Sequence, residues 1–153
     1  MVFKLVFIGI DPGAKGGWSI IREDGSIECK IWDDAKFIED MRDLSMSNYK
    51  NCRCALEKVG SMPKQGVSST WRFGQSYGFI IGVLSALEIP FQTVPPQTWK
   101  KSFGLIHQDK AKSIEVAQHL FPDVSFLASD RSRKPSDGMA ESLLLACYAQ
   151  RHF

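Results

Sequence analysis

No stretch of this sequence stays apolar for the roughly 20 residues that a membrane-crossing helix needs, so a membrane protein is not expected. The apolar opening, Met1–Ile10, is too short to hold both the apolar run and the cleavage site of a signal peptide, and it reads as a buried strand. The expected compartment is the cytoplasm, bacterial or that of an infected cell. Paired C-x-x-C spacings are missing too. The four cysteines are Cys29, Cys52, Cys54 and Cys147. Cys52-x-Cys54 puts two thiols on one face of a strand, so a zinc knuckle is not expected. The thiols read as small buried hydrophobes in a reducing compartment. Internal repeats, low-complexity tracts and linkers are absent, which argues for a single domain over residues 1–153. A net charge of only +2, from 19 basic and 17 acidic residues, neither demands nor excludes a polyanionic partner. At 153 residues the chain is long enough to bury a sizeable core without disulfide or metal staples.

The patterning that is present reads as α/β. Val2–Ile10 is a nearly continuous run rich in Val, Ile and Phe, as expected of a strand covered on both faces. Asp11-Pro12-Gly13 ends it. Gly16–Arg22 and Ser26–Trp32 read as two further strands joined by the turn Glu23-Asp24-Gly25. A helix starts at Asp33/Asp34 with Phe37, Ile38 and Met41 as its apolar stripe. Cys52–Val59 alternates as a fourth strand, with Cys52, Cys54 and Leu56 on one side and Arg53, Ala55 and Glu57 on the other. Gly60–Gly66 is a loop, Ser68–Leu87 a long helix and Phe91–Val94 a fifth strand. Shorter helices are expected around Gln97–Phe103 and over Asp109–Leu120. A polar loop, Leu127–Lys134, precedes a last helix from about Ser136 to Arg151. A meander followed by crossovers gives a five-stranded mixed sheet, order 3-2-1-4-5, with helices on both faces. In the long helix Gly74, Gly78 and Gly82 recur every fourth residue, each costing about 1 kcal/mol relative to Ala. A backbone in close approach is expected there, either the sheet or a partner helix.

Four acids fall where such a sheet gathers them. Asp11 ends the first strand and Glu57 lies near the end of the fourth, and strands one and four become parallel neighbours at the point where the strand order reverses. Asp137 and Glu141, four residues apart, share one face of the last helix. Converging carboxylates raise one another's pKa values, and a divalent cation relieves that. Mg²⁺ prefers hard oxygen donors and keeps several waters. Two such ions suit phosphodiester hydrolysis.

These residues resemble a known family. Ile8-Gly9-Ile10-Asp11-Pro12-Gly13 is similar to the opening of RuvC-type Holliday junction resolvases. Leu56-Glu57-Lys58-Val59 and Phe73-Gly74-Gln75-Ser76-Tyr77-Gly78 also resemble that family. So do the stretches Val94–Lys101 and Asp109–Lys112, and the acidic segment Ser136–Leu144. The likeness spans nearly the whole chain in the right order, with details that suggest a phage or other viral member. It implies an RNase H-like fold and a homodimer with two active sites. It also implies Mg²⁺- or Mn²⁺-dependent nicking of opposed strands at four-way DNA junctions, leaving 5′-phosphate and 3′-hydroxyl ends. Asp11, Glu57 and Glu141 match the family's catalytic acids, and Asp137 is the expected fourth. Three departures stand out, the first being Glu141 where the family more usually has Asp. The family commonly spaces its last two acids three apart, a position that is Gly138 here. Its aromatic wedge, three residues after the strand-four Glu, is replaced by Gly60, with Met62 and Trp71 as the nearby large apolar side chains. The strand-Asp-Gly opening also occurs in sugar-kinase and actin-like ATPases, but the chain is short for two lobes and has no second phosphate loop.

Charge is unevenly spread. Acidic residues concentrate over Glu23–Asp43, whereas Lys15, Lys58, Lys64, Arg72, Lys100, Lys101, Lys110, Lys112, Arg131, Arg133 and Lys134 surround the acidic positions in sequence. A basic rim around an acidic centre suits a nucleic acid gripped by its phosphates. Lys101 and Lys112 resemble the family's phosphate-contacting lysines. His107 reads as incidental.

Overall fold

The computed structural model describes residues 4–60 and 64–153. Five strands form one sheet: β1 (Val6–Asp11), β2 (Gly17–Arg22), β3 (Ile27–Ile31), β4 (Cys52–Glu57) and β5 (Phe91–Val94). Their order is β3-β2-β1-β4-β5. β1 is antiparallel to β2, and β2 to β3, while β4 is parallel to both β1 and β5. The meander turns through Gly25, whose φ of 89° suits glycine, and Asp24 accepts a hydrogen bond from the Ser26 amide. β1 starts later than its apolar run suggests. Its first paired residue is Val6, opposite Arg22, the last residue of β2, and Cys52, the first of β4. The first residues of that run, 1–3, lie outside the described residues, as do 61–63 of the loop before the long helix.

Helices α1 (Asp34–Asn48) and α2 (Val67–Ala86) lie on one face of the sheet, and α3 (Pro96–Ser102), α4 (Lys110–Leu120) and α5 (Asp137–His152) on the other. Strand alternation divides the core accordingly. Ile8, Ile10, Cys52, Cys54 and Leu56 face α1 and α2, and Phe7 and Ala55 face α5. On α1 the buried stripe is Phe37, Met41 and Leu44, spaced four and three apart. Ile38, expected in that stripe, is exposed because it stands one residue, about 100°, around the helix.

α5 is the central helix and is buried almost all round from Gly138 to Cys147. Leu143, Leu144 and Leu145 are each fully buried, worth about 1.5–3 kcal/mol apiece. It lies so close to β1 that a Cβ on Gly9 would overlap its backbone at Ser142 and Ala146. The Ser142 hydroxyl donates to the Met139 carbonyl at 2.8 Å, so the 2.6 Å contact with Ser19 of β2 is a bond that Ser19 donates. That buried pair fixes the helix across the sheet and sets where its first turns end up.

α2 is the opposite case. Among the described residues Gly74, Gly78 and Gly82 meet nothing: a Cβ on any of them would enter open space. Of the two neighbours expected for this stripe, the sheet is therefore not the one it meets. The sheet takes the other side of α2, through Ile80 and Leu84. None of the helices is long and apolar enough to cross a membrane, among the described residues.

Candidate active site

Asp11 is the last residue of β1 and Glu57 the last of β4. The parallel register sets the two side by side, with Ile10 beside Leu56. α5 reaches the same edge with its first turns. Ser136 caps it, accepting from the Met139 amide at 3.2 Å, which places Asp137 in the first turn and Glu141 one turn on. All four acids line one cavity of about 300 Å³, together with Lys15, Lys100, Gln108, Asp109, Lys110 and Ser113. The structure thus brings the four acids singled out in the sequence to one place. Asp11 and Glu57 are each 9% exposed and Glu141 is 7% exposed, burial that carboxylates rarely accept without a partner.

The spacing of the two acids on α5 has a steric cause. The helix start is pressed against the turn after β1, and a Cβ at position 138 would overlap the Lys15 carbonyl and the Gly16 backbone. No acid fits there. The carboxylates have to flank that glycine, at 137 and 141.

The electrostatics are those of a crowded anionic site. The Asp11 carboxyl is pushed up to about 9, first by burial and then by the charges of Glu57 and Glu141, with Lys110 opposing and Asp137 adding a little. Glu57 is raised by burial, against the Trp99 hydrogen bond and Lys100 and Lys110. Glu141 is raised by burial and by Glu57, against Lys100 and Ser113. Lys110 Nζ lies 3.0 Å from Asp137 Oδ2 and supplies one positive charge at the rim. Among the described residues no three His, Cys, Asp or Glu side chains form a ready-made ion cage. The acids are gathered but not closed around a point. The fit to a divalent cation rests on the donor set: hard oxygens only, with the carboxyls of Asp11, Glu57 and Glu141 buried and resisting ionisation.

The basic residues divide. Lys15, Lys100 and Lys110 line the acidic cavity. Lys58 borders an adjoining hollow with Val59, Gly60, Gln65, Phe73 and Pro96. Lys64, Arg72 and Lys101 are exposed. Arg131, Arg133 and Lys134 are exposed on the loop that the Ser136 amide closes by donating to the Phe126 carbonyl at 2.7 Å, just before Asp137. Lys112 is tied to Glu115 of its own helix at 3.2 Å, and an exposed pair of that kind is weak enough to be exchanged for a phosphate. The acidic segment lies away from the cavity: Arg22–Glu28, Lys30–Asp40 and Lys36–Glu39 pair on the β3 and α1 side. His107 is exposed and has a left-handed backbone, φ 61°; it is not among the cavity residues.

Two residues that sequence patterning does not single out hold the acids. Trp99, fully buried, donates its indole N–H to Glu57 Oε2 at 2.7 Å. Ser113, 3% exposed, donates to Glu141 Oε1 at 3.2 Å. The available signal was Trp99 itself: a tryptophan in a short helix between Pro-Pro and Lys-Lys buries an N–H that needs an acceptor.

No protein-family model and no curated protein matches this sequence. Solved structures do. RuvC of Thermus thermophilus in complex with a Holliday junction substrate superposes with a TM-score of 0.56 at 14% identity, over 96% of each chain. Another structure of Thermus thermophilus RuvC gives 0.53 at 13% identity, over 93% of this chain and 91% of that one. A fowlpox virus resolvase bound to Holliday junction DNA gives 0.49 at 22% identity, over 94% and 98%. The two Thermus structures show a likeness of fold: the chain is built on the RNase H-like fold of RuvC, its four acids at the shared edge of β1, β4 and α5.

Proposed function

We propose that this chain is a cation-dependent endodeoxyribonuclease that resolves four-way DNA junctions, acting as a homodimer. The observation that carries the reading is the single cavity in which Asp11, Glu57, Asp137 and Glu141 meet. The shared fold with a RuvC solved on a Holliday junction supports the choice of substrate.

In this reading the four carboxylates hold two Mg²⁺ ions, or Mn²⁺ in their place. Bound ions would supply neutralisation of charge at the scissile phosphate and a more nucleophilic water. The side chains do the rest by position. Glu57 and Glu141 present oxygens steadied by Trp99 and Ser113. Asp11, whose carboxyl is favoured in its protonated form by burial and the neighbouring acids, would have to lose that proton to serve as a ligand. Lys110 leaves Asp137 for a phosphate, and Lys15 and Lys100 are placed to meet the backbone near the cut. Lys58, Lys64, Arg72, Lys101, Lys112, Arg131, Arg133 and Lys134 grip phosphates further out, a contribution indifferent to sequence. The products are ends with a 5′-phosphate and a 3′-hydroxyl.

Opposed strands need two sites, and α2 offers the surface that pairs them. Its open side carries Gly74, Gly78 and Gly82 with the exposed Val67 and Trp71, beside a hollow of about 510 Å³ lined by Gln65, Val67, Thr70, Trp71, Gly74 and Gln75. The only formal charge along α2 is Arg72. A second copy of the same helix meets little like-charge repulsion there, and glycines let two backbones approach.

One observation favours wider selectivity for flaps and forks. Gly60 offers no side chain where the family carries its wedge, so recognition of the branch point rests on other residues. A panel of end-labelled four-way junction, flap, fork and RNA–DNA hybrid separates the readings. Paired, symmetric, Mg²⁺-dependent nicks confined to the junction are expected. Equal cutting of flaps and forks would replace the junction assignment with the broader one, and tight binding without cleavage would make the chain a branch-binding protein.

A further inference from the structure

We infer that Trp99 is a positioning residue for the cutting site: its indole N–H fixes the Glu57 carboxylate so that one oxygen stays turned toward the cations. The inference rests on the function proposed above and names a residue that acts through Glu57.

The local construction leaves Trp99 little freedom. β5 ends at Val94, whose carbonyl accepts from the Lys58 amide at 2.8 Å. Pro95 and Pro96 then turn the chain straight into α3, with Pro96 at its first position. Trp99 therefore lies behind the end of β4, fully buried among Ala55, Val94, Leu105 and the α5 core. A buried indole leaves its N–H unsatisfied unless it finds an acceptor, and that acceptor is Glu57 Oε2 at 2.7 Å. Lys100 Nζ stands 5.7 Å from the centre of the same ring. The strand-end backbone is held as well, since the Tyr77 hydroxyl donates to the Glu57 carbonyl at 3.1 Å.

The chemistry of the donor matters. A lysine or arginine behind Glu57 would orient it equally well but would also neutralise it, in competition with a cation. A neutral N–H orients the carboxylate and leaves its charge for the ligand. Donors of this kind behind ligating groups are typically worth 10–100-fold in ion affinity. Ser113 plays the same part for Glu141 with a weaker bond.

The test compares the wild-type chain with Trp99→Phe, which keeps an aromatic ring in the core and removes the N–H. A second variant places the benzothienyl analogue of tryptophan, sulfur for N–H, at the same position. It keeps the shape should the phenylalanine leave a disruptive cavity. Mn²⁺ alone is the probe, and bound ion is counted from the loss of the free-ion signal in electron paramagnetic resonance. Both variants are expected to bind Mn²⁺ about tenfold more weakly, while binding metal-free junction DNA as the wild type does. In a Glu57→Gln background, removing the N–H is expected to change nothing further. Mn²⁺ affinity unchanged in both variants, in a wild type that binds Mn²⁺ and cuts junctions, overturns this inference alone. An equal loss in the Glu57→Gln background also overturns it, because Trp99 would then not act through Glu57. A wild type that neither binds Mn²⁺ nor cuts overturns the proposed function, and this inference with it.

Discussion

Helices α5 and α2 are both apolar and both carry or meet glycines at close spacing, yet they end up in opposite situations. α5 is buried from Gly138 to Cys147, and Gly9, Gly17 and Gly138 around it have no room for a Cβ. α2 is the more apolar by sequence, but only Ile80 and Leu84 are buried and its three central glycines look into open space. The glycines near α5 have a use that the single chain explains: they let the helix lie on β1 and bring Asp137 and Glu141 to Asp11. Those of α2 meet nothing among the described residues. The four acids meet within one copy, whereas in the proposed dimer the α2 surface would be finished only by a second.

The sharpest way to break this contrast is at the acids. Asp11→Asn is expected to lower junction cleavage about 10³-fold or more while DNA binding persists, as measured by nicking rate and gel shift. The same variant carries a stability signature. In the wild type without cations, the Asp11 carboxyl is raised from 3.8 to about 9, so the folded state binds more protons than the unfolded state between those values. Stability of the cation-free protein therefore falls as pH rises from about 4 toward 9. Melting curves are expected to show this fall for the wild type and to show much less of it for Asp11→Asn.

Glycine substitutions come next. Gly138→Ala drives a methyl into the backbone at Lys15 and Gly16 and is expected to cost about 2–3 kcal/mol in chemical denaturation. Gly78→Ala enters open space and is expected to be neutral or stabilising by up to about 1 kcal/mol. Equal effects would erase the distinction between the two helices. Gly78→Leu sharpens it: the chain folds, but sedimentation gives the mass of one copy and the paired nicks become single.

The smallest effect is at the rim. Alanine at Arg131, Arg133 and Lys134 together is expected to weaken junction binding without regard to sequence. It is also expected to flatten the salt dependence by about one unit of slope for each phosphate no longer gripped.

The sheet was legible because its strands are short, apolar and punctuated. Gly25, Asp11-Pro12-Gly13 and the alternation of Cys52–Glu57 fix the meander, the first stop and the face on which Glu57 lies. Strand order followed from connectivity, and with it the meeting of the four acids. What stayed hidden depends on distances between elements that no spacing encodes. The glycine stripe of α2 announced close approach but not to what. The four-residue interval between Asp137 and Glu141 looked like a departure until the Lys15–Gly16 backbone was seen to fill the space at Gly138. Trp99 and Ser113 read as core and helix, and their bonds to Glu57 and Glu141 appear only when α3 and α4 are set against the sheet.

The central claim, that four repelling carboxylates make one cation site, is tested most directly by Mn²⁺ calorimetry in two buffers of different ionisation enthalpy near pH 7.5. Saturable binding with release of about one proton per chain is predicted, with both binding and proton release largely lost in Asp11→Asn. Binding of equal strength in Asp11→Asn, or none in the wild type, would contradict it.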